Sequence, residues 1–289
     1  MANMILPQIV LEGVMIGGIY ALAATGLTLI LGVMKVLNLA HGHMMMVAMY
    51  ITYFLYILFG IDPFLSIPIS MVLLFAIGMA LQKTIVRPIV DAPVVNQMIL
   101  MIGLLIFLEN FAAFVWTHDY RALRGYEGFV FTFLGLRFVS TRLAAFATAI
   151  ITTILLYLLI TKTKWGRAIR ACSTDPDAAM LMGINLPRVR LEAFGLGIAL
   201  AGVAGSLITT VYYIFPSVGM HYIIVALVIV ILGGMGSIFG ALVGGIILGL
   251  VEALTAFYIS SELKLLGVFI IFILLLLFKP EGLFARKGG

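Results

Sequence analysis

Ile9-Val-Leu-Glu-Gly-Val-Met-Ile-Gly-Gly-Ile-Tyr-Ala-Leu-Ala-Ala-Thr-Gly-Leu-Thr-Leu-Ile-Leu-Gly32 decides the fold, because its only ionisable groups are Glu12 and the Tyr20 phenol. A helix needs about 20 apolar residues to cross a hydrocarbon core. It also satisfies its backbone hydrogen bonds internally, the condition for entering a solvent that offers none. Comparable runs follow at 39–59, 64–86, 94–117, 142–161 and 193–215. No Lys or Arg precedes the first run, so a retained helix is expected and not a cleaved signal. The 289 residues are 64% apolar and 10% charged, which excludes a soluble domain. The expected fold is all-α: one polytopic integral membrane helical bundle over residues 1–289, without linkers or low-complexity tracts.

Residues 219–258 are too long for one helix and contain Gly233-Gly-Met-Gly-Ser237. Splitting there gives a short helix near 219–233 and a second near 237–258. The total is nine spans, with eight and ten as the alternatives. Orientation follows from the charged island at 162–192, which holds six of the 17 basic residues. If the island is cytoplasmic, Lys35, Lys83, Arg87, Lys279, Arg286 and Lys287 are inside too, and Arg121, Arg124, Arg137, Arg142 and Lys264 are outside, the bias of the positive-inside rule. Residues 1–8 and 118–141 are then outside, and 162–192 and 280–289 inside. In the outer segment, alternation from Phe129 to Phe133 and from Leu136 to Val139, broken at Gly135, predicts a small hairpin or an interfacial lid. The net charge of +5 reflects which side the loops occupy, not a nucleic-acid partner. The single cysteine, Cys172, excludes an intramolecular disulfide and a Cys-based metal cage, and its place in the basic loop predicts a cytoplasmic thiol.

Within the island a short helix can be read directly. Asp175 suits an N-cap, Pro176 the first helical position, and Gly183 a left-handed C-cap. About two turns result, presenting Asp177, Ala178, Ala179, Met180, Leu181 and Met182, with Ile184 just beyond. Arg167, Arg170, Arg188 and Arg190 ring this apolar knob, which fits a socket on another protein; a solvated loop is the rival reading.

Polar groups in a bilayer are costly and therefore informative. Asn38, His41, Gly42 and His43 cluster between the first two spans. The three-residue spacing of Asn38 and His41 allows one helix face, and they are expected to brace the inner end of a pathway with a hinge at Gly42; bonding to a neighbouring helix is the alternative. A metal site is excluded, because His41 and His43 are two apart and no acid or cysteine nearby completes a set. Glycines four apart, Gly236/Gly240/Gly244, Gly245/Gly249 and Gly197/Ala201/Gly205, predict close helix packing. Gly233, Gly234 and Gly236 are candidates for a broken helix beside the pathway. Glu109 with Asn110, and Glu252, stand as isolated acids that pair with a base near a membrane face or act as helix glue; Glu12 is expected at the interface. No acid and base are close enough in sequence for a zwitterion clamp, and no catalytic pair is evident. Met44, Met45 and Met46 are expected to face lipid or pack, and Tyr50, Tyr53, Tyr56, Tyr212 and Tyr213 to form an aromatic belt at the outer ends. Without a Gly-x-x-x-x-Gly-Lys-Ser/Thr loop, the chain is not expected to hydrolyse ATP itself.

Three sets of residues then resemble one family. Gly17-Gly-Ile-Tyr-Ala-Leu-Ala-Ala-Thr-Gly-Leu-Thr-Leu-Ile-Leu-Gly32 with Asn38-Leu-Ala-His-Gly42 resembles the opening of the branched-chain amino acid ABC transporter permeases of the LivH type. Trp165-Gly-Arg-Ala-Ile-Arg-Ala171 with Asp175-Pro-Asp-Ala-Ala-Met-Leu-Met-Gly-Ile184 resembles their cytoplasmic coupling loop, and Gly233-Gly-Met-Gly-Ser-Ile-Phe-Gly240 their late glycine motif. The resemblance implies a permease subunit of the bacterial inner membrane, paired with a second, LivM-like permease, two cytoplasmic ATPase subunits that bind the ATP, and an extracytoplasmic substrate-binding protein. It implies no cofactor in this chain. On this resemblance residues 175–183 are the coupling helix, Asp177-Ala178-Ala179 and Gly183 being similar to the Glu-Ala-Ala and Gly of the wider importer loop. The pattern departs in two places: the Ile-x-Leu-Pro element follows at once, from Ile184 to Pro187, and His43 stands where many relatives carry an acid or a small polar residue. The implied cargo is a branched-chain or other hydrophobic amino acid. The alternatives are a permease for urea or short amides and a stand-alone ion-coupled secondary transporter using Glu109, Glu252 or His41.

Overall fold

In the computed structural model, which describes residues 5–126, 128–279 and 282–284, the apolar runs become helices. They are α1 (Ile5–Met34), α2 (His41–Phe59), α3 (Pro63–Leu81), α4 (Val94–Trp116), α5 (Ser140–Lys162), α6 (Lys164–Thr174), α7 (Pro176–Leu181), α8 (Leu186–Thr209), α9 (Val218–Gly233), α10 (Ile238–Tyr258) and α11 (Lys264–Phe278). α3 runs on through a π turn and a 3-10 turn, giving a span from Pro63 to Ile89. Among the described residues, eight helices are long and apolar enough to cross a membrane, and α9 is a shorter apolar helix of 16 residues. These correspond to the nine expected spans. α8 begins at Leu186 and ends at Thr209, shifted from the expected 193–215, because Asn185 caps it by accepting from Arg188 N at 3.1 Å. The outer placement of residues 1–4 and the inner placement of 280, 281 and 285–289, with Arg286 and Lys287, lie outside the described residues.

The amphipathic α6 was not expected. Thr163 caps it, its hydroxyl accepting from Gly166 N at 3.0 Å, and the turn from α5 is so tight that a Cβ on Gly166 would overlap the Ile160 carbonyl. At the opposite end of the bundle, β1 (Val130–Phe133) and β2 (Leu136–Val139) form the expected hairpin, turning at Leu134 and Gly135, both at positive φ. Gln8 ties the hairpin to α1: its Nε2 donates to Arg137 O and its Oε1 accepts from Arg137 N, each at 2.9 Å.

α1 and α8 are buried nearly all round, with α2 and α9 against them, whereas α4, α5 and α11 present most of their surface outward. A helix apolar on every side and enclosed on every side is a bundle core. The contact of α1 with α10 is the most extensive in the bundle, and glycine makes it possible. A Cβ on Gly13 would lie 2.9 Å from Gly249 O, one on Gly17 2.7 Å from Gly245 O, and one on Gly245 2.5 Å from Ala21 Cβ. Close backbone approach supplies the dispersion contacts that drive association where lipid removes the hydrophobic force. Met44, Met45 and Met46 are buried, so they pack and do not face lipid. Tyr50 leaves the expected aromatic belt: it is fully buried and stacks on Trp116 at 4.1 Å, while Tyr213 is exposed near the hairpin end.

Gly245→Val should therefore force α1 and α10 apart, at a cost of about 1–3 kcal/mol. Gly103→Val in α4, where a Cβ meets nothing within 4 Å, should leave stability nearly unchanged. Thermal midpoints of the purified chain in detergent check this; equal midpoints for the two variants would refute the glycine seam.

Candidate functional site

Asn38, His41 and Gly42 lie level with the interior of α1 and not with its Met34 end. His41 Nε2 is 3.0 Å from Ala23 O, and Ala23 precedes the end of α1 by 11 residues, from Ala23 to Met34. At 1.5 Å per residue that is about 16 Å of helix, a little over a third of the way up α1 from its Met34 end. Residues 35–40 thus climb back into the bundle and α2 starts in its middle. Because a carbonyl only accepts, Nε2–H of His41 is the donor, and Nδ1 is left as a buried acceptor without a partner. Asn38 precedes the helix and shares no helix face with His41. Its Oδ1 accepts from Ala40 N at 3.1 Å and its carbonyl from His41 N at 3.2 Å, so it shapes the turn that opens α2.

Gly42 sits in the first turn of α2 where α2 meets α9. A Cβ there would overlap the Gly219 carbonyl and lie 2.6 Å from Ile223 N, and a Cβ on Gly219 would lie 2.8 Å from the His43 ring. The expected hinge is a contact point: the first turns of two helices meet inside the bundle. Next to it His43 Nε2 lies 3.2 Å from Glu109 Oε2, tying α4 to α2. Glu109 therefore has a basic partner 66 residues away, and the sequence signal for it was the second histidine of the cluster. Gly233, Gly234 and Gly236 form no break within a span. α9 ends at Gly233, Gly234 and Gly236 hold φ of +88° and +84°, and Gly236 lies beside Gly32 at the α6–α7 end. They build a sharp turn between two helices, and a Cβ on Gly233 would overlap Gly240.

The charged island folds as its caps predict. Asp175 Oδ1 accepts from Asp177 N and Ala178 N, both at 3.0 Å, and Pro176 opens α7. Gly183 has φ +81°, its N–H donates to Met180 O at 2.9 Å, and Ile184 N donates to Ala179 O at 3.1 Å. Leu181 and Met182 are 88% and 83% exposed, Asp177, Ala178 and Met180 are also outward, and Ala179 is buried. Arg167 and Arg170 point outward from α6, while Ile169 and Cys172 turn in. Glu192 of α8 clamps this platform, because Trp165 Nε1 donates to its Oε2 at 2.6 Å, while Arg188 Nε, one turn earlier on α8, donates to its Oε1 at 2.8 Å. α6 also touches α1. Cys172, placed by the sequence in the basic loop, lies on α6 and is 1% exposed, and burial pushes its pKa up against the opposing pull of Arg190.

At the hairpin end the remaining acids find bases that the sequence does not pair. Buried Glu252 has Oε1 2.8 Å from Lys264 Nζ and 3.8 Å from His221 Nε2. Glu12 Oε2 lies 3.4 Å from Arg142 Nη1 on α5.

A family model described as branched-chain amino acid transport system / permease component matches residues 9–278. The chain is 33% identical to the high-affinity branched-chain amino acid transport system permease protein LivH of Escherichia coli K12, over 96% of this chain and 95% of that protein. It is 31% identical to the corresponding permease protein BraD of Pseudomonas aeruginosa, over 96% and 95% of the two chains. It is 35% identical to a probable branched-chain amino acid transport permease protein LivH of Methanocaldococcus jannaschii, over 88% and 82%. No solved structure matches the chain.

The left-handed backbone at Gly183 generates a direct test. Gly183→Val should strain the α7 cap by about 1–2 kcal/mol, whereas Gly183→Asn should be tolerated. Limited proteolysis of the purified chain should cut within 174–190 faster in the Val variant than in wild type or Asn. Identical cleavage rates for all three would remove the cap from the argument.

Proposed function

The chain belongs to the branched-chain amino acid transport permease family, and we propose that it lines, with a second, LivM-like permease, the path of an ATP-binding cassette importer for branched-chain or other hydrophobic amino acids. It is a multi-pass membrane protein. In this reading the membrane is the bacterial cytoplasmic membrane, residues 162–192 face the cytoplasm, and two ATPase subunits bind there while an extracytoplasmic protein delivers substrate.

The observation that carries the reading is α7. A tether between two spans needs neither a capped helix nor two apolar side chains held more than four-fifths in the open. Leu181 and Met182, with Arg167 and Arg170 exposed on the preceding α6 and Arg188 on the following α8, suit an apolar socket with an acidic rim on a soluble partner. The ATP chemistry belongs to that partner.

Force on α7 has a defined route. α6 passes it through Trp165 and Glu192 to α8, and by direct contact to α1. α1 holds His41 through the Ala23 carbonyl, and α8 packs along α2. A tilt of α1 against α8 would therefore be felt where the first turns of α2 and α9 meet, inside the bundle. Two packings of that junction, selected by whether the ATPases are closed, would make an alternating-access path.

Met182→Glu should weaken ATPase pull-down from co-expressed membranes by about tenfold, equivalent to 1.4 kcal/mol. Proteoliposomes holding both permeases and the ATPases, supplied with the binding protein and ATP, should take up leucine and not urea. His41→Ala should keep the complex assembled while uptake falls. Urea uptake would move the cargo to amides, and uptake without ATPases would make the chain a secondary transporter.

A further inference from the structure

At the hairpin end a cavity of about 340 Å³ opens between α1, α10 and the starts of α5 and α11. Glu12, Arg142, Glu252 and Lys264 line it, and Ile16 and Phe257 contribute apolar wall. Its volume lies in the range of small-molecule sites. Its four charges come from four separate helices, so no local sequence pattern announces them.

The two ion pairs differ. Lys264 holds Glu252 at 2.8 Å, with the carboxylate buried, while Arg142 and Glu12 are 3.4 Å apart and each over a third exposed. The outer pair is loose enough to exchange partners. In the inner pair neither Glu252 oxygen makes a hydrogen bond; Lys264 Nζ and His221 Nε2 face Oε1 at 2.8 and 3.8 Å as ionic contacts only. A buried carboxylate oxygen without a donor is costly, and a ligand ammonium would supply the donor. The four groups sum to no net charge. A ligand that is itself neutral but dipolar can enter such a site without leaving an uncompensated charge, whereas an anion or a cation cannot.

We propose that this cavity binds an aliphatic amino acid as its zwitterion, the carboxylate on Arg142 and Lys264, the ammonium on Glu252 and Glu12, and the side chain against Ile16 and Phe257. The site rests on the amino-acid reading above and extends it, giving the membrane subunit a receiving site of its own at the hairpin end. The cargo then meets a mouth that recognises its head group in addition to whatever the delivering protein recognises.

Equilibrium binding of radiolabelled leucine to the purified full-length chain in nanodiscs tests this without partners. Wild type should bind leucine saturably, and leucinamide, which lacks the carboxylate, and 4-methylpentanoate, which lacks the ammonium, should each compete at least tenfold less well than leucine. Lys264→Met and Arg142→Gln should each weaken binding at least tenfold. Because Lys264→Met can also disturb the fold, Ala256→Phe fills the cavity from its wall without touching a charge and should abolish binding while the thermal midpoint stays unchanged. No saturable binding by wild type, or unchanged binding in Ala256→Phe, overturns the site. The two readings fail separately: a complete transporter that imports leucine at an undiminished rate with Ala256→Phe loses the site and keeps the cargo, whereas one whose wild type imports only urea loses the cargo.

Discussion

Two helix beginnings meet in the middle of the bundle because Gly42 and Gly219 carry no side chains, and much of the architecture follows from that contact. The first turn of any helix has backbone N–H groups without intrahelical partners, and a bilayer offers them no water. Here the approach segments supply the partners: Asn38 O and Oδ1 accept from His41 N and Ala40 N, Phe215 O accepts from Val218 N, and Ser217 O from Met220 N. Irregular backbone at this depth is stable only when enclosed by protein. That enclosure is what α1 and α8 provide, and it explains why α9 needs only 16 residues to reach the far end of the bundle.

The charges sort themselves by height. At the α7 end, Arg167, Arg170 and Arg188 are exposed on the helices that flank an apolar tip, Arg188 paired with Glu192. In the middle, one buried imidazole bonds a backbone carbonyl and its neighbour holds the carboxylate of α4. At the hairpin end, two acid–base pairs face one cavity. Each level couples helices that hydrophobicity alone would leave free to slide, since lipid is as apolar as leucine. α4 shows the difference, for beyond the His43–Glu109 pair and the Tyr50–Trp116 stack it has few neighbours within the chain.

Much of this was legible in the residues. Long apolar runs located the spans, and the Asp175-Pro176 and Gly183 signals fixed both ends of α7, because caps act through local backbone chemistry. Depth was not legible. Hydropathy reports how apolar a stretch is and not its height, so the spacing of Asn38 and His41 did not reveal that His41 meets α1 at Ala23, well inside that helix. Nor could spacing pair Glu12 with Arg142 or Glu109 with His43, since partners on different helices leave no periodic trace. α6 is the instructive case: Arg167 and Arg170 alternate with Ile169 and Cys172 at helical spacing, a pattern that was there to read but that the charge of the island masked.

The glycine seam also sets a timetable. α1 leaves the ribosome first, yet its most extensive contact is with α10, about 230 residues later, which at 5–20 residues per second is a wait of roughly 10–45 s. Through that interval the faces at Gly13 and Gly17 lack the α10 backbone that covers them in the finished fold. Biogenesis of this chain therefore finishes from its far end, and a translation product cut short before Gly245 would carry an unclosed first helix, however well that helix had been inserted.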